Sequence, residues 1–248
     1  MLDDRIPALP GVFESPLPAV SAPGLLRLEG ARTLLRYRTY FRIEDATSDD
    51  LLKTALSLRY QVYCVERNFL DGQRHPDRLE SDPFDTHSVH GVLFYRPWNR
   101  PVGTSRLILP DDGRAPFPFY AMLDKSGMAS TSHFPRGRTA EISRFAVSRA
   151  FRPDRTMRSK MPCLGLAQLL LRLSRTHGVT HWVAVMPNSL LRMLAMMGIE
   201  FTPVGEAVAY HGVRQPAVCE IAQLLDTLYR RFPSHWQIMT DGGRLAET

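Results

Sequence analysis

The sequence predicts an α+β fold, with a single mixed central sheet flanked by helices. Two observations carry the prediction. Apolar periodicity runs in the order strand, helix, several antiparallel-type strands, then strand–helix–strand–helix–strand, which is the pattern of one sheet with helices packed on it. No G-x-G-x-x-G, P-loop, G-x-S-x-G or internal repeat interrupts that order, so nucleotide-binding, hydrolase and solenoid folds lack their usual signatures. With 248 residues, 44% of them hydrophobic, the chain can form one domain with additions and bury a proper core.

Residues 1–38 are rich in proline and lack a sustained period, so they read as a partly ordered N-terminal extension. Within them, 24–36 reads alternatively as a short basic amphipathic helix, which leaves a peripheral membrane contact open. The domain proper is expected over 39–232, with 233–248 as a C-terminal tail. It begins with a strand at 40–43, and Ser48-Asp49-Asp50 then starts a helix whose Leu51, Ala55, Leu58, Val62 and Val65 recur at helical spacing on a core face. Pro76 and Pro83 bar regular helix from the polar stretch 71–85. Strands follow at 89–95 and 102–109, joined by the turn Arg96-Pro97-Trp98-Asn99-Arg100. Residues 110–138 form a long connection, 141–147 a strand, and 164–175 a helix with Leu166, Leu169, Leu170 and Leu173 inward. The strand 181–186 precedes a helix over 190–197, which Asn188 caps and Gly198 ends; 201–208 and 218–221 read as closing strands.

The opening MLDDRIPALPGVFESPLPAV has acids and prolines where a signal peptide needs a basic end and an apolar core, and no run approaches the ~18 apolar residues of a membrane span. Cys64, Cys163 and Cys219 are scattered, with no C-x-x-C pair, which suits a reducing compartment. A cytoplasmic location is therefore expected. The net charge of +6 implies an acidic partner, and composition alone leaves nucleic acid, a membrane surface and an acidic carrier protein open.

Four charged patterns fall in order along the chain: Arg59-Tyr60-Gln61-Val62-Tyr63 with Glu66, then Glu80-Ser81-Asp82-Pro83-Phe84-Asp85, then Gly103-Thr104-Ser105-Arg106-Leu107, then Glu141-Ile142-Ser143-Arg144-Phe145-Ala146-Val147. Together they resemble the acyl-homoserine-lactone (autoinducer) synthases and the related long-chain N-acyl amino acid synthases. The stretches LRYQVYCVERNFL and E-x-D-x-x-D-x-H-S-V-H look most like the acyltransferases associated with the PEP-CTERM/exosortase system. The resemblance covers roughly residues 40–210 and implies a GNAT-like (acyl-CoA N-acyltransferase) fold. It also implies transfer of a long-chain acyl group from acyl carrier protein or acyl-CoA to a small amine, with no permanently bound cofactor and no nucleic-acid partner. Carried over by position, it makes Arg59, Arg106, Glu141 and Arg144 the catalytic set and Glu80, Asp82, Asp85 and Glu66 its charged network. Glu141 would help deprotonate the amine. Tyr63, where the autoinducer synthases usually carry phenylalanine, and Asn68-Phe69-Leu70, where they carry a tryptophan, favour the N-acyl amino acid or exosortase-linked branch over homoserine-type acceptors.

Elementary chemistry points the same way. Amide formation from a thioester needs a neutral amine, and a partly buried carboxylate with a raised pKa can accept its proton, worth ~10²–10⁴ in rate. Simple strand alternation would put Glu141, Ser143 and Phe145 on one face and Ile142, Arg144 and Ala146 on the other. A strand-end ion pair between Glu141 and Arg144 is the plainer alternative. Arg106, flanked by Leu107 and Leu109, is costly to bury unpaired, and the loop carboxylates are its natural counter-charges. The acidic loop lacks the further ligands and glycine of an EF-hand, and His87 and His90 read as loop or strand-start packing, so no metal is expected.

Residues 149–160 hold Arg149, Arg152, Arg155, Arg158 and Lys160 against a single acid, Asp154. A GNAT fold binds the donor's pyrophosphate or phosphopantetheine at this strand–helix junction, and the turn before the helix has only Gly165 where an acetyl-CoA site has several glycines. That departure suits an acidic acyl carrier protein, with Phe145 and Val147 of the preceding strand beside the donor. A solvated basic loop is the alternative. Met193, Met196 and Met197 fit an adaptable wall for a long acyl chain, although core filling explains them as well. Two other function classes stay open: a CoA-dependent acetyltransferase and a non-catalytic basic binding module.

Overall fold

The computed structural model describes residues 22–110, 117–150, 160–210 and 212–246, with the side chains of 22–27 outside the description. The chain enters through helix α1 (Ala22–Tyr40) and strand β1 (Phe41–Asp45), followed by helix α2 (Asp49–Tyr60). Ser48 is the N-cap of α2, its side chain accepting the Leu51 N–H. A π-helical segment, Gln61–Glu66, continues α2. The antiparallel pair β2 (Ser88–Tyr95) and β3 (Arg100–Ile108) turns at Asn99, whose positive φ of 48° fits a left-handed residue. Within the long connection 110–138 lie two short helices, α3 (Pro118–Ala121) and α4 (Lys125–Thr131). Then come β4 (Thr139–Val147), α5 (Met161–Thr176), β5 (His181–Met186) and α6 (Asn188–Ala195). The two-residue strands β6 (Thr202–Pro203) and β7 (Val208–Ala209), the longer β8 (Val213–Glu220) and helices α7 (Ile221–Arg231) and α8 (Pro233–Met239) complete the chain.

The main sheet runs β1-β2-β3-β4-β5-β8-β6, with β7 paired to β8. All pairs are antiparallel except β4–β5, so this is one mixed sheet. Its core lies on the α5 face: Leu166, Leu169, Leu170 and Leu173 are buried there, as the periodicity predicts, against Leu93, Leu107, Ile142 and Trp182. Close packing is built in at Gly91, where a Cβ would meet the Leu169 side chain at 2.3 Å. The opposite face carries α2, over β2 and β3, and the loop that holds the acidic residues.

Several boundaries differ from expectation for identifiable reasons. Leu34 and Tyr37 of α1 are part of the main core, and the Tyr37 hydroxyl donates to Gln168 of α5 at 2.8 Å, so this part of the expected extension is packed. Ile238 and Met239, in the expected tail, are fully buried, and Arg175 donates to the Leu245 and Ala246 carbonyls. Val65 is 58% exposed rather than inward, because the π-turn breaks the 3.6-residue period that aligned it with Val62. Asn188 begins α6 but does not cap it; Pro187 holds the N-cap position. The region 201–208 forms strand only at Thr202–Pro203 and at Val208, with Gly205 at φ +64° between the two. The strand expected at 218–221 instead spans Val213–Glu220, and Ile221 opens α7.

Candidate active site

At the β3–β4 pair the register shifts: Thr104 faces Ala146 and Arg106 faces Ser143, so Ser105 alone opposes both Arg144 and Phe145. Arg144 takes φ +54° at this bulge. The irregularity corrects the simple alternation. Arg144 reaches the acidic-loop side of the sheet with Glu141 and Ser143, and Phe145 packs with Ile142 in the α5-side core.

What Arg144 joins there is a closed ring of six alternating charges. Arg144 donates from Nε and Nη2 to Glu80 at 2.9 and 2.8 Å, and Arg59 donates from Nε to Glu80 at 2.5 Å. Arg59 Nη1 continues to Asp85 at 2.7 Å, and Asp85 accepts from Arg106 Nη1 at 2.5 Å. Arg106 Nη1 also reaches Asp82 at 2.6 Å, and Asp82 accepts from Arg144 Nη2 at 2.8 Å, which closes the ring. Arg106 Nε donates to Ser143 Oγ at 2.8 Å. The loop is rigid in its own right, since Asp82 and Asp85 form a reciprocal capping box around Pro83–His87. Arg59, Glu80 and Arg106 are at most 1% exposed. Burial alone would raise the Glu80 pKa, but hydrogen bonds from Arg144 and Arg59 and their charges hold it down to about 2. Asp85 is held well below the carboxylate range in the same way, against its own burial, by Arg59 and Arg106. His90 lies beside the ring with Nε2 3.6 Å from Asp85, too far for a hydrogen bond; burial and the Arg59 charge lower its pKa to about 4, so it is neutral at pH 7.

Three arginines and three carboxylates balance, and Glu141 is outside the ring. Glu141 is 4% exposed, and among the described residues its carboxylate accepts one hydrogen bond, from the Phe119 N–H at 2.9 Å. Burial pushes its pKa up to about 7, opposed by the Phe119 N–H and the nearby Arg106 and Arg144 charges. The connection 110–138 thus supplies a partner for Glu141 that sequence reasoning missed; Pro118 at the start of α3 was its one available signal.

Glu141 opens onto a cleft with a cavity volume of about 450 Å³. The cleft exists because β4 and β5 pair only from Thr139–Glu141 to His181–Val183 and then separate. Beyond that point Ile142–Val147 line one wall and Ala184–Met186 the other. Tyr63, Phe69, Met186, Leu190 and Met193 make much of the remaining surface apolar, while Arg106, Arg144, Asp82 and Ser143 bring the ring to its edge. Tyr63 packs under the Arg144 guanidinium, 5.6 Å from ring centroid to Cζ, and its hydroxyl donates to the Phe145 carbonyl at 3.4 Å.

Other expected site residues separate. Glu66 is not in the ring; it accepts from the Ser148 hydroxyl and from the Arg149 and Ala150 N–H groups at 2.8 and 3.3 Å. Phe145 and Val147 do line the cleft. Gly165 faces away from any donor, because a Cβ there would meet Leu93 at 2.8 Å and the Tyr37 hydroxyl at 2.9 Å; its glycine serves close helix packing. Of the three methionines Met193 lines the cleft, Met197 is fully buried in the core and Met196 is 61% exposed. Arg149 and Lys160 are exposed, and Arg152, Arg155 and Arg158 lie outside the described residues. Among the described residues no group of three or more His, Cys, Asp or Glu is arranged to hold a metal ion.

An acetyltransferase (GNAT) domain model matches residues 58–161, from α2 to the start of α5. The chain is similar in structure to the CoA-dependent acyl-homoserine lactone synthase BjaI, solved with SAM and isopentyl-CoA (20% identity, TM-score 0.53, covering 84% of this chain and 89% of that one). It is similar also to the AHL synthase LasI (16%, 0.57, covering 77% and 95%) and to TofI in a ternary complex with an inhibitor and MTA (20%, 0.57, covering 77% and 96%). The fold is the GNAT fold. The chain therefore carries a GNAT acyltransferase domain, with its cleft where β4 separates from β5. No curated protein matches the sequence significantly. Among the described residues no helix is long and apolar enough to cross a membrane.

Proposed function

We propose that the chain is a cytoplasmic N-acyltransferase that moves a long-chain fatty acyl group from a phosphopantetheine thioester to the amine of a small acceptor such as an amino acid. Acyl carrier protein is the favoured donor, and acyl-CoA the alternative. The observation that carries the reading is Glu141: a buried carboxylate at the wall of the cleft between the separated strands, with no ion-pair partner among the described residues and a pKa that burial pushes up to about 7. The self-balanced ring is the reason. Had any of its arginines lacked a carboxylate, Glu141 would be the nearest uncompensated acid and would titrate lower.

The reaction follows from that position. The acceptor arrives as an ammonium ion, and ionised Glu141 removes one proton. The neutral nitrogen then attacks the thioester carbonyl carbon; the C–N bond forms, the C–S bond breaks, and the thiolate leaves and takes the proton lost by the new amide nitrogen. The proton on Glu141 returns to solvent. The unpaired inner edges of β4 and β5 suit an extended pantetheine arm, whose amides can bond to strand backbone as an added strand does. Val62, Leu190 and Met193 give an acyl chain apolar surface, worth ~0.8 kcal/mol for each methylene buried. The acceptor branch, and the link to the PEP-CTERM/exosortase system, rest on Tyr63 and on the motif likeness over residues 58–70 and 80–90.

The test incubates the protein with acetyl, octanoyl and palmitoyl thioesters of acyl carrier protein and of CoA, each with a pool of amino acids and other small amines. Thiol release and amide mass are read together. Long-chain amides with stoichiometric thiol are expected; outright preference for acetyl donors would replace this reading with a CoA-dependent acetyltransferase.

A further inference from the structure

We propose that Glu66 is a positioning residue for the acyl donor, carried by the π-turn to the point where β4 leaves the cleft; this rests on the acyl-transfer reading above. Seven residues make about two turns of an α-helix, so Glu66 would ordinarily stand on the same face as Arg59, over the charged ring. The segment Gln61–Glu66 is π-helical instead, with the Arg67 N–H bonded to the Val62 carbonyl at 3.1 Å. The wider turn rotates Glu66 off that face, and such single turns are frequent at functional sites. The same turn sends Val62 and Tyr63 into the cleft wall.

Glu66 is received by a concave set of donors. The hydroxyl of Ser148, which is fully buried, and the successive N–H groups of Arg149 and Ala150 converge on its carboxylate. Consecutive backbone N–H groups of this kind form an anion nest, and here the chain's own carboxylate fills it. Ser148 is pinned from behind, its N–H bonded to the Val102 carbonyl at 2.9 Å, and it directly follows Val147 of the cleft wall. Glu66 therefore fixes the path of the chain just beyond Val147 of the cleft wall, where the acyl-transfer reading runs the phosphate-bearing arm of the donor. It touches neither Glu141 nor the ring, so its loss should weaken the hold on the donor without slowing the chemical step.

The test compares wild type, Glu66→Ala, Glu66→Gln and Ser148→Ala by steady-state kinetics, calorimetric binding of CoA, and hydrogen exchange at the Arg149 and Ala150 amides. Glu66→Ala is expected to raise donor KM and the CoA Kd about tenfold, the scale of one or two charge-assisted hydrogen bonds, with kcat at saturating donor within about threefold. Glu66→Gln, which can still accept a hydrogen bond, should fall between wild type and alanine. An acyl-pantetheine donor lacking phosphate should show little change in KM. Faster exchange at 149–150 with unchanged donor KM and Kd would make Glu66 scaffold only and overturn the proposal. So would a loss confined to kcat, or unprotected amides in the wild type. Because CoA binding and exchange are read without turnover, a wild type that transferred no acyl group would sink the acyl-transfer reading while the effect of Glu66 on donor binding is still decided.

Discussion

Replacing Glu141 by glutamine should stabilise the protein, and by an amount that depends on pH. In the folded protein Glu141 titrates near 7, against 4.5 for an ordinary glutamate. Below pH 4.5 both folded and unfolded chains carry the proton, and the stability from keeping the buried group neutral is fully present. As pH rises from 4.5 toward 7 the unfolded chain ionises first, and that stability is lost; above 7 the loss is complete. At ~1.4 kcal/mol per pH unit, the 4.5-to-7 interval costs wild type roughly 3 kcal/mol by pH 8 and less than about 1 kcal/mol at pH 5. Glutamine does not titrate, and its carbonyl can accept the Phe119 N–H in place of the carboxylate. The gap in melting temperature between Glu141→Gln and wild type should widen by roughly 5–10 °C between pH 5 and pH 8, at ~2–4 °C per kcal/mol for a chain of this size. Calorimetric melting of both proteins at the two pH values reads it. Using the change with pH, rather than either gap alone, removes any packing difference between the two side chains. A gap that does not change with pH would mean that Glu141 titrates normally in the folded protein, and the argument from the balanced ring would fail.

Arg59→Met should lower stability by ~3–5 kcal/mol at pH 7, since it leaves Glu80 and Asp85 short of a fully buried partner; denaturant unfolding checks it, and a loss under 1 kcal/mol would show that the ring tolerates opening. Asp82→Asn removes a charge that raises the Glu141 pKa and unbalances the ring toward positive, so the pH midpoint of acyl transfer should move to lower pH; an unmoved or alkaline-shifted midpoint counts against the assignment. Met193→Trp should shift kcat/KM toward shorter acyl donors, whereas Met196→Trp, on an exposed position, should leave the ratio unchanged; equal ratios in both would remove the acyl chain from this wall.

The parts of the fold that sequence resolves are those where one periodicity rules. Leu166, Leu169, Leu170 and Leu173 announce α5, and Ser48 announces α2, because apolar spacing and a capping hydroxyl act over a few residues. Arg106 and the acidic loop were legible together because a buried arginine needs counter-charges, and the motif resemblance added Arg59 and Arg144, yet the closure into a ring was not legible. Closure depends on the β4 bulge at Arg144, which follows from pairing with β3 and leaves no mark in the strand's own residues. The π-turn similarly moved Val65 to the surface and Glu66 out of the charged set, since one wider turn changes every later direction on the helix. The Phe119 N–H that holds Glu141 comes from 22 residues away through a connection with no period of its own. In the sequence Gly165 groups with the donor junction because a glycine at a helix start can serve either a ligand or close packing, and only the positions of Leu93 and of Tyr37 on α1 choose between them.

The most direct test of proton acceptance by Glu141 is the single-turnover rate of acyl transfer as a function of pH, measured for wild type and Glu141→Gln with the same long-chain donor and amine. Wild type should rise to a plateau with a midpoint near pH 7, and Glu141→Gln should be slower by ~10²–10⁴ and lose that titration. A glutamine variant that keeps more than a tenth of the wild-type rate with the same pH dependence would contradict the account.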